Sequence, residues 1–211
     1  MLALDHIVIA ARNPEHAAKD YGNRHGVVTV QGGRHHEWGT SNHLAFFKNE
    51  CYIEWIGVED WQTAEKSKNP LIRQVVESLQ EEREGIIRLA LRTEEMDKYQ
   101  QHFQESNIPY TGPFPGSRTR PDGSQLEWKM LFPEGEPVLP FLIEWGQGIN
   151  SPEDPRQINT ESISSITWRD KSLQQWSDIF SLAEENQGVR LSNTHLQGQE
   201  NVHAPFLNLG L

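Results

Sequence analysis

The sequence predicts an α+β fold in which tandem β-α-β-β-β modules form a cup-shaped mixed sheet, with a partial third β-α-β module at the C-terminus. Two observations carry this prediction. The strand-like segments YIEWIG and FLIEWG, at residues 52–57 and 141–146, closely resemble each other. The order of a strand, a helix and further strands also returns after residue 85, and a repeated order of elements indicates a duplicated unit.

The first module, about residues 1–60, begins with an apolar strand and a capped helix. Asn13 and Pro14 give the helix start, because asparagine is a favoured N-cap and proline fits the first helical position. This helix is expected to run to about Tyr21. Short β-branched and aromatic runs bounded by turn residues predict the strands, which are Leu4–Ala10, Val27–Gln31, His43–Lys48 and Tyr52–Val58.

A bridging helix, about residues 61–84, is predicted between the two modules. Asn69 and Pro70 start it, and one apolar face recurs at helical spacing. That face consists of Leu71, Ile72, Val75, Val76 and Leu79.

The second module, about residues 85–148, repeats the order of the first. A helix is predicted over Glu94–Ser106, where acidic residues occupy the first turn and complement the helix dipole. The predicted strands are Gly85–Thr93, Leu126–Phe132 and Leu139–Trp145.

Residues 149–211 are predicted to hold a polar linker and a partial third module that packs on the first two. The pairs Ser151-Pro152 and Asp154-Pro155 indicate the linker. The expected elements are a strand at Ser164–Trp168, a helix at Asp170–Glu185 and an apolar tail at Val202–Leu209.

Composition narrows the function classes. The chain has 211 residues, 36% of them hydrophobic, and a formal net charge of −11. It contains no apolar run of about 18 residues, so no membrane span is expected. It has no block of lysine and arginine, so no nucleic-acid partner is expected. The single cysteine, Cys51, and a start without a signal-like apolar stretch favour a cytoplasmic location.

The two related strands each carry a glutamate, Glu54 and Glu144. If both carboxylates pointed into the cup they would meet, and a buried carboxylate must be compensated by a proton, a cation or water. The alternative without a functional role is that both glutamates lie on a solvated sheet face, which antiparallel sheets commonly have.

Five motifs carry a family resemblance. They are LDHIVIA from Leu4, GGRHHEWGTSNHL from Gly32, YIEWIG from Tyr52, PGSRTRPDG from Pro115 and LPFLIEWG from Leu139. In this order they resemble the glyoxalase-like domain family of the vicinal-oxygen-chelate superfamily, which includes glyoxalases, bleomycin-resistance proteins and dioxygenases. The resemblance covers about residues 1–148 and implies paired modules that curl into a cup.

The resemblance also implies metal ligands on the first and last strands of each module, which here are His6, Glu54 and Glu144. The fourth position falls at Ile86, which has no donor atom, when Arg12 is set against Arg92. Three protein ligands would leave an open position for substrate. The implied cofactor is one divalent ion, Mg, Mn, Ni, Zn or Fe. The alternative for His6 is a hydrogen-bonded core histidine.

The substrate side of the cup is expected to be polar and cationic. Arginine binds carboxylate and phosphate groups bidentately, and asparagine donates hydrogen bonds or closes turns. The candidate substrate-binding residues are Arg118, Arg120, Arg34, His35, Asn42 and Trp128.

Three functions follow from this reading. The first is a metal-dependent isomerase or lyase that acts on a small anionic oxygenated molecule, with Glu54 and Glu144 as catalytic residues. The alternative is a metal-free protein that binds or sequesters a small molecule. The third is a ring-cleaving dioxygenase, although such iron sites use two histidines and one carboxylate, a softer set than this one. The resemblance also allows a homodimer, since relatives often dimerise.

Overall fold

The computed structural model describes residues 1–119, 125–185, 188–199 and 206–210. The strands are β1 Ala3–Ala10, β2 Val30–His35, β3 Thr40–Phe47, β4 Cys51–Val58, β5 Gly85–Arg92, β6 Tyr110–Thr119, β7 Gln125–Pro133, β8 Phe141–Trp145, β9 Ile158–Asn159, β10 Ser162–Arg169, β11 Ala183–Glu185, β12 Gly188–Arg190, β13 His195–Gln199 and β14 Phe206–Gly210. The helices are α1 Pro14–His25, α2 Trp61–Ala64, α3 Pro70–Gln80, α4 Met96–Glu105 and α5 Asp170–Phe180.

Nine of the described strands form one mixed sheet with the order β2-β3-β4-β1-β5-β8-β7-β6, and β9 pairs with β3. In each module the first strand runs parallel to the last, β1 with β4 and β5 with β8. The two modules join where β1 pairs antiparallel with β5. The predicted α+β fold of duplicated β-α-β-β-β modules is therefore confirmed.

Two β-bulges interrupt the pairing of β1 with β5. Asp5 is the extra residue on β1, between Leu4 and His6, and Ile87 is the extra residue on β5. Each is the third residue of its strand, so the two bulges are related by the pseudo-symmetry of the modules. On this register the module-two equivalent of His6 is Arg88.

Helix α3 fills much of the cup. Asn69 caps it by accepting the backbone N–H of Leu71 at 2.9 Å, as the Asn-Pro signal predicts. All five residues of the predicted apolar face are buried, and they pack with the cup-facing side chains of β1, β4, β7 and β8. The cup is consequently narrowed to a small cavity beside the helix.

The other face of this sheet packs on helices and on the C-terminal module. Trp55 and Leu142 belong to this second core, together with Phe103 of α4 and Trp176 and Phe180 of α5. Phe103 and Phe180 meet edge to face, with ring centroids 6.1 Å apart.

The C-terminal module has more strands than the β-α-β unit predicted for it. Its five described strands follow the order β11-β12-β13-β10-β14, which repeats β2-β3-β4-β1-β5 of the first module. Strand β10 carries a bulge at Ser164, as β1 does at Asp5. Helix α5 ends at Phe180, five residues earlier than predicted, because Ser181 turns the chain with a φ of 52° and β11 follows.

Other elements of the two modules also differ from the predictions. Strand β2 is shifted toward the C-terminus, to Val30–His35, and β3 begins three residues earlier than predicted, at Thr40. Helix α1 continues past Tyr21 to His25 and ends at Gly26, whose φ of 70° suits a left-handed cap. Strand β6 was not predicted, because its Gly112, Pro113, Pro115 and Gly116 indicate a loop; it is the last strand of the order, where proline is tolerated. No helix among the described residues is long and apolar enough to cross a membrane.

Candidate functional site

The bulge on β1 brings two neighbouring polar side chains together. Regular alternation would point Asp5 and His6 to opposite faces of the sheet. Instead, Asp5 Oδ1 lies 2.7 Å from His6 Nδ1, and both side chains are buried. The indole Nε1 of Trp145 donates to Asp5 Oδ2 at 2.8 Å, and Nη1 of Arg92 lies 3.5 Å from the same oxygen. Asp5 is therefore a buried, fully hydrogen-bonded carboxylate.

The other nitrogen of His6 faces Glu54. His6 Nε2 lies 3.5 Å from Glu54 Oε2. The parallel register pairs Val8 with Glu54 and His6 with Tyr52, so His6 and Glu54 are diagonal neighbours on the cup-facing side of β1 and β4. Glu54 is 7% exposed. The amide of Asn42 donates to Glu54 Oε1, which supplies part of the compensation that a buried carboxylate needs.

The orientation of Asn42 is set by a close approach of strand β2. Its Oδ1 accepts the backbone N–H of Gly33 at 2.7 Å, so its amide nitrogen is the group that faces Glu54. A Cβ on Gly32 would lie 2.0 Å from Asn42 Oδ1, so only glycine allows this approach. The glycine pair in the GGRHHEWGTSNHL motif thus positions a hydrogen-bond donor on Glu54.

These side chains line a small cavity of about 50 Å³ beneath helix α3. Leu71 and Ile72 of α3 form its apolar wall. A larger cleft of about 910 Å³ lies beside it, and His35, Trp38, Leu44 and Arg118 line both spaces. The cavity has room for a group the size of a carboxylate, and the cleft has room for the remainder of a ligand.

A cation and a phenol stand at the same cavity as Glu54. Arg118 Nη2 donates to Asn150 Oδ1 at 2.8 Å, and the side chain of Asn150 is hydrogen-bonded to the Tyr52 hydroxyl. Tyr52 stacks on His6 with ring centroids 4.6 Å apart. Burial, with the charges of Asp5 and Glu54 adding to it, raises the pKa of Tyr52 well above its usual value, so the hydroxyl keeps its proton.

His35 lies between the cavity and the larger cleft. Its Nδ1 is 3.1 Å from the Thr40 hydroxyl, and its ring lies 5.5 Å from that of Trp38. Burial lowers the pKa of His35 below its usual value, against the opposing effect of Glu54. The ring is accordingly neutral near pH 7, and Arg118 supplies the positive charge at this end of the cavity.

The structure separates Glu144 from the other two predicted ligands. On β8, Phe141 and Ile143 face the cup, and Trp145 packs against the same core. Glu144 lies on the opposite face, where it accepts the backbone N–H of Met96 at 2.9 Å and caps helix α4. The expectation that both glutamates meet at one site is contradicted, because the two EWG segments differ in strand phase and a shift of one residue reverses the face.

Module two also lacks metal-ligand atoms at the positions equivalent to His6 and Glu54. The bulges place Arg88, not Ile86, opposite to His6 in the pseudo-symmetry, and Phe141 then stands where Glu54 stands. Arg88 is buried, donates from Nε to the Leu139 carbonyl at 2.8 Å and lies 5.0 Å from the Phe132 ring. Burial lowers the pKa of Arg88 to about 10.

The resident metal implied by the resemblance does not fit this arrangement. Among the described residues, no three histidine, cysteine, aspartate or glutamate side chains lie together as a ligand set. His6 and Glu54 are in contact at the cavity, but neither the three-ligand set with Glu144 nor an iron triad of two histidines and one carboxylate is formed by the described residues.

The remaining predicted site residues lie in different places. Trp128 lines the cavity, with its ring centroid 6.3 Å from Trp38 and 5.4 Å from Trp145. Trp145 belongs to the same wall. Arg34 lines the larger cleft and makes an exposed ion pair with Glu59 at 3.4 Å. Arg120 lies outside the described residues.

Three residues of the site were missed by the sequence reasoning. Tyr52 could have been found, because it shares a strand face with Glu54 by simple alternation. Asp5 could not, since a bulge has no reliable sequence signal. Asn150 follows β8 in a segment that indicated only a linker, and nothing in it points to the cup.

Comparison with known proteins agrees with this architecture. A search of curated proteins found no match. A hypothetical protein from Staphylococcus aureus is 20% identical, with a TM-score of 0.76 over 94% of this chain and 87% of that one. This coverage includes the C-terminal module.

Two other solved structures cover a smaller part of this chain, about as much as the first two modules occupy. A variant of methylmalonyl-CoA epimerase from Streptomyces coelicolor, in complex with 2-nitronate-propionyl-CoA, is 18% identical with a TM-score of 0.51, covering 72% of this chain and 100% of that one. A hypothetical protein from Bacillus halodurans is 16% identical with a TM-score of 0.51, covering 72% and 99%. At these identities the likeness shows the fold alone.

The model of the glyoxalase-like domain matches residues 4–194, which is most of the chain. This match extends beyond the paired modules into the C-terminal one. The chain therefore belongs to the glyoxalase-like domain family.

Proposed function

We propose that this protein is an enzyme of the isomerase or lyase class that moves a proton on a small anionic oxygenated molecule. The observation that carries the proposal is the contact of His6 Nε2 with Glu54 Oε2, 3.5 Å apart at a buried cavity. A carboxylate and an imidazole in contact are a common pair for general acid–base catalysis. Their burial excludes bulk water from the proton that they exchange.

The opposite side of the cavity supports an anionic ligand. Arg118 lines the cavity and stands at its junction with the larger cleft, where a guanidinium can hold a carboxylate or phosphate group. In a chain of net charge −11, this cation is a specific feature and not part of a basic surface. The reacting end of the substrate would occupy the cavity and the remainder would lie in the cleft.

The proton transfer follows from these positions. Glu54 accepts a proton from an acidic carbon next to a carbonyl or carboxylate group of the substrate. The negative charge that develops on the substrate oxygen is stabilised by Arg118 and by the Tyr52 hydroxyl. The proton, held by Glu54 and its partner His6 Nε2, returns to a neighbouring carbon of the substrate in an isomerisation. In a lyase reaction it goes to the departing heteroatom group, which leaves with its bonding electrons.

A divalent ion held by His6, Glu54 and Glu144 is not part of the proposal, because Glu144 caps helix α4 on the other face of the sheet. The proton transfer is assigned to His6 and Glu54, and the anion binding to Arg118. Similarity to an epimerase fold is compatible with this chemistry.

The test is hydrogen exchange in D₂O, because it detects proton transfer without knowledge of the product. A panel of 2-oxo acids, 2-hydroxy acids and acyl-CoA esters is incubated with the protein, and loss of the C–H signal is followed by NMR. We expect exchange with at least one panel member. Glu54→Gln should lower that rate by about 10²- to 10⁴-fold, the usual contribution of a positioned base.

Glu144→Gln is the matched control, since it makes the same change in the related strand segment. It should leave the exchange rate unchanged. Equal rates in Glu54→Gln and the wild type would remove the proposed role of Glu54. A loss in Glu144→Gln as large as that in Glu54→Gln would show that the assignment of the two faces is wrong.

The second candidate is a protein that binds a small anion without turning it over. The aromatic wall of Trp38, Trp128 and Trp145 around the cavity favours it, because such a wall suits retention of a ligand. Saturable binding of a panel member that needs Arg118, with no exchange in the wild type, would decide for this function.

A further inference from the structure

We infer that Asp5 is a positioning residue that keeps a proton on His6 Nδ1, so that His6 Nε2 is the ring atom presented to Glu54 and to the substrate. The inference rests on the proposed function for its consequence, but not for its geometry. The geometry consists of the bulge at Asp5, the 2.7 Å contact with Nδ1 and the opposite contact of Nε2 with Glu54.

The bulge is what makes this arrangement available. The extra residue of a bulge has no pairing partner on the neighbouring strand, and its side chain can point in a different direction from that in a regular strand. Asp5 has no partner on β5, and its carboxylate reaches the ring of the next residue. At the equivalent bulges, β5 carries Ile87 and β10 carries Ser164. Of the three bulges, the one beside the histidine is the one that carries a carboxylate.

The two oxygens of Asp5 have different partners. Oδ2 faces donors, the indole N–H of Trp145 at 2.8 Å and the Arg92 guanidinium at 3.5 Å. Neither group can accept a hydrogen bond. Oδ1 is therefore the oxygen left for His6, and it accepts from a protonated Nδ1. Nε2, the ring nitrogen that faces Glu54, then carries no proton in the neutral ring and can take one up.

This asymmetry predicts what an asparagine would do at the same position. In Asp5→Asn the amide oxygen must stay toward Trp145 and Arg92, because both only donate. The amide NH₂ is then forced toward His6 Nδ1, where it donates. Nδ1 becomes the acceptor, and the ring proton moves to Nε2. A reversed tautomer of this kind in a serine protease costs about 10⁴-fold in kcat while the geometry is retained.

The tautomer can be measured without any substrate. ¹⁵N-labelled histidine distinguishes protonated from unprotonated ring nitrogens by chemical shift, and His6→Gln identifies the His6 signals among those of the nine histidines. We expect Nδ1 of His6 to carry a proton in the wild type and to lose it in Asp5→Asn. Glu144→Gln, a matched carboxylate-to-amide change on the other sheet face, should leave the His6 signals unchanged.

An unprotonated Nδ1 in the wild type would overturn the inference, and this result needs no variant to fold. A folded Asp5→Asn protein that keeps the proton on Nδ1 would overturn it as well. In the hydrogen-exchange assay, Asp5→Asn should lower the rate by about 10²- to 10⁴-fold.

These measurements distinguish failure of the proposed function from failure of the inference about Asp5. If Nδ1 behaves as expected but no panel member exchanges, the proposed function fails and the positioning of His6 by Asp5 stands. If the wild type exchanges and Asp5→Asn exchanges equally fast, the function stands and the inference fails.

Discussion

The two halves of the cup have the same strand order but different contents. The module-one half carries His6, Glu54 and Asn42 around a cavity. The module-two half is occupied by Arg88 and by Phe132 and Phe141, whose rings stack at 5.0 Å. Duplication has preserved the backbone, including the bulge, while the side chains at equivalent positions have come to serve binding in one half and packing in the other.

This difference shows why a symmetric fold need not contain a symmetric site. In the pseudo-symmetry, Arg88 replaces a histidine and Phe141 replaces a glutamate. An arginine and a phenylalanine cannot complete a ligand set, but they fill volume and bury apolar area. The histidine and glutamate pair is thereby confined to β1 and β4, while module two contributes Arg118 to the same cavity.

Removal of a ring from the packed half should have the largest effect on stability. Phe141 is fully buried against Phe132, so Phe141→Ala leaves a cavity and should lower the free energy of unfolding by about 3–5 kcal/mol. Urea denaturation measures the change. Val138→Ala, at a 40% exposed position close in sequence, should stay within about 0.5 kcal/mol. A small effect of Phe141→Ala would mean that the module-two half is not the packed one.

Glu144 tests the comparison from the helical side of the sheet. Glu144→Ala removes the acceptor of the Met96 N–H and should lower the free energy of unfolding by about 1 kcal/mol, as loss of a helix cap does. The midpoint of chemical denaturation measures it. Affinity for an anionic panel ligand should not change, and a loss of affinity would place Glu144 in the site.

His35 gives a pH dependence that belongs to the module-one half. Burial lowers its pKa in the folded state, whereas the unfolded chain titrates near 6.5. The unfolded state therefore binds more protons below about pH 6.5, and stability falls as the pH drops through that range. His35→Gln should make this fall shallower while leaving the curve near pH 8 unchanged in shape. An identical slope in both proteins would contradict the assignment.

Divalent metals should have the smallest effect. Because no three histidine, cysteine, aspartate or glutamate side chains among the described residues form a ligand set, millimolar Mn²⁺, Ni²⁺ or Zn²⁺ should leave the melting temperature of tag-free protein unchanged. A ligand that binds only the folded state raises that temperature. A clear rise that Glu54→Gln abolishes would restore the metal-dependent function.

The order of elements along the chain and the starts of α1 and α3 could be predicted from sequence, because they depend on local signals. The Asn-Pro pairs before α1 and α3 and the apolar face of α3 are of this kind. The side on which Glu144 lies could not be predicted, since the shared letters EWG conceal a shift in strand phase. Similarly, β11 was not predicted, because residues 183–185 continue the helical pattern of α5.

Part of the candidate site could also be predicted from local sequence motifs. His6, Glu54, Asn42 and Arg118 line one cavity and were all named from motifs. Asp5 and Asn150 depend on a bulge and on the path of a segment after β8, which only the folded chain defines.

A crystal structure with the best-binding panel member would show whether the ligand lies against Glu54. We expect the acidic carbon of the ligand within about 3–3.5 Å of the Glu54 carboxylate, a near-attack distance, with the anionic group on Arg118. A ligand bound instead on the other face of the sheet, in contact with Glu144, would contradict this expectation.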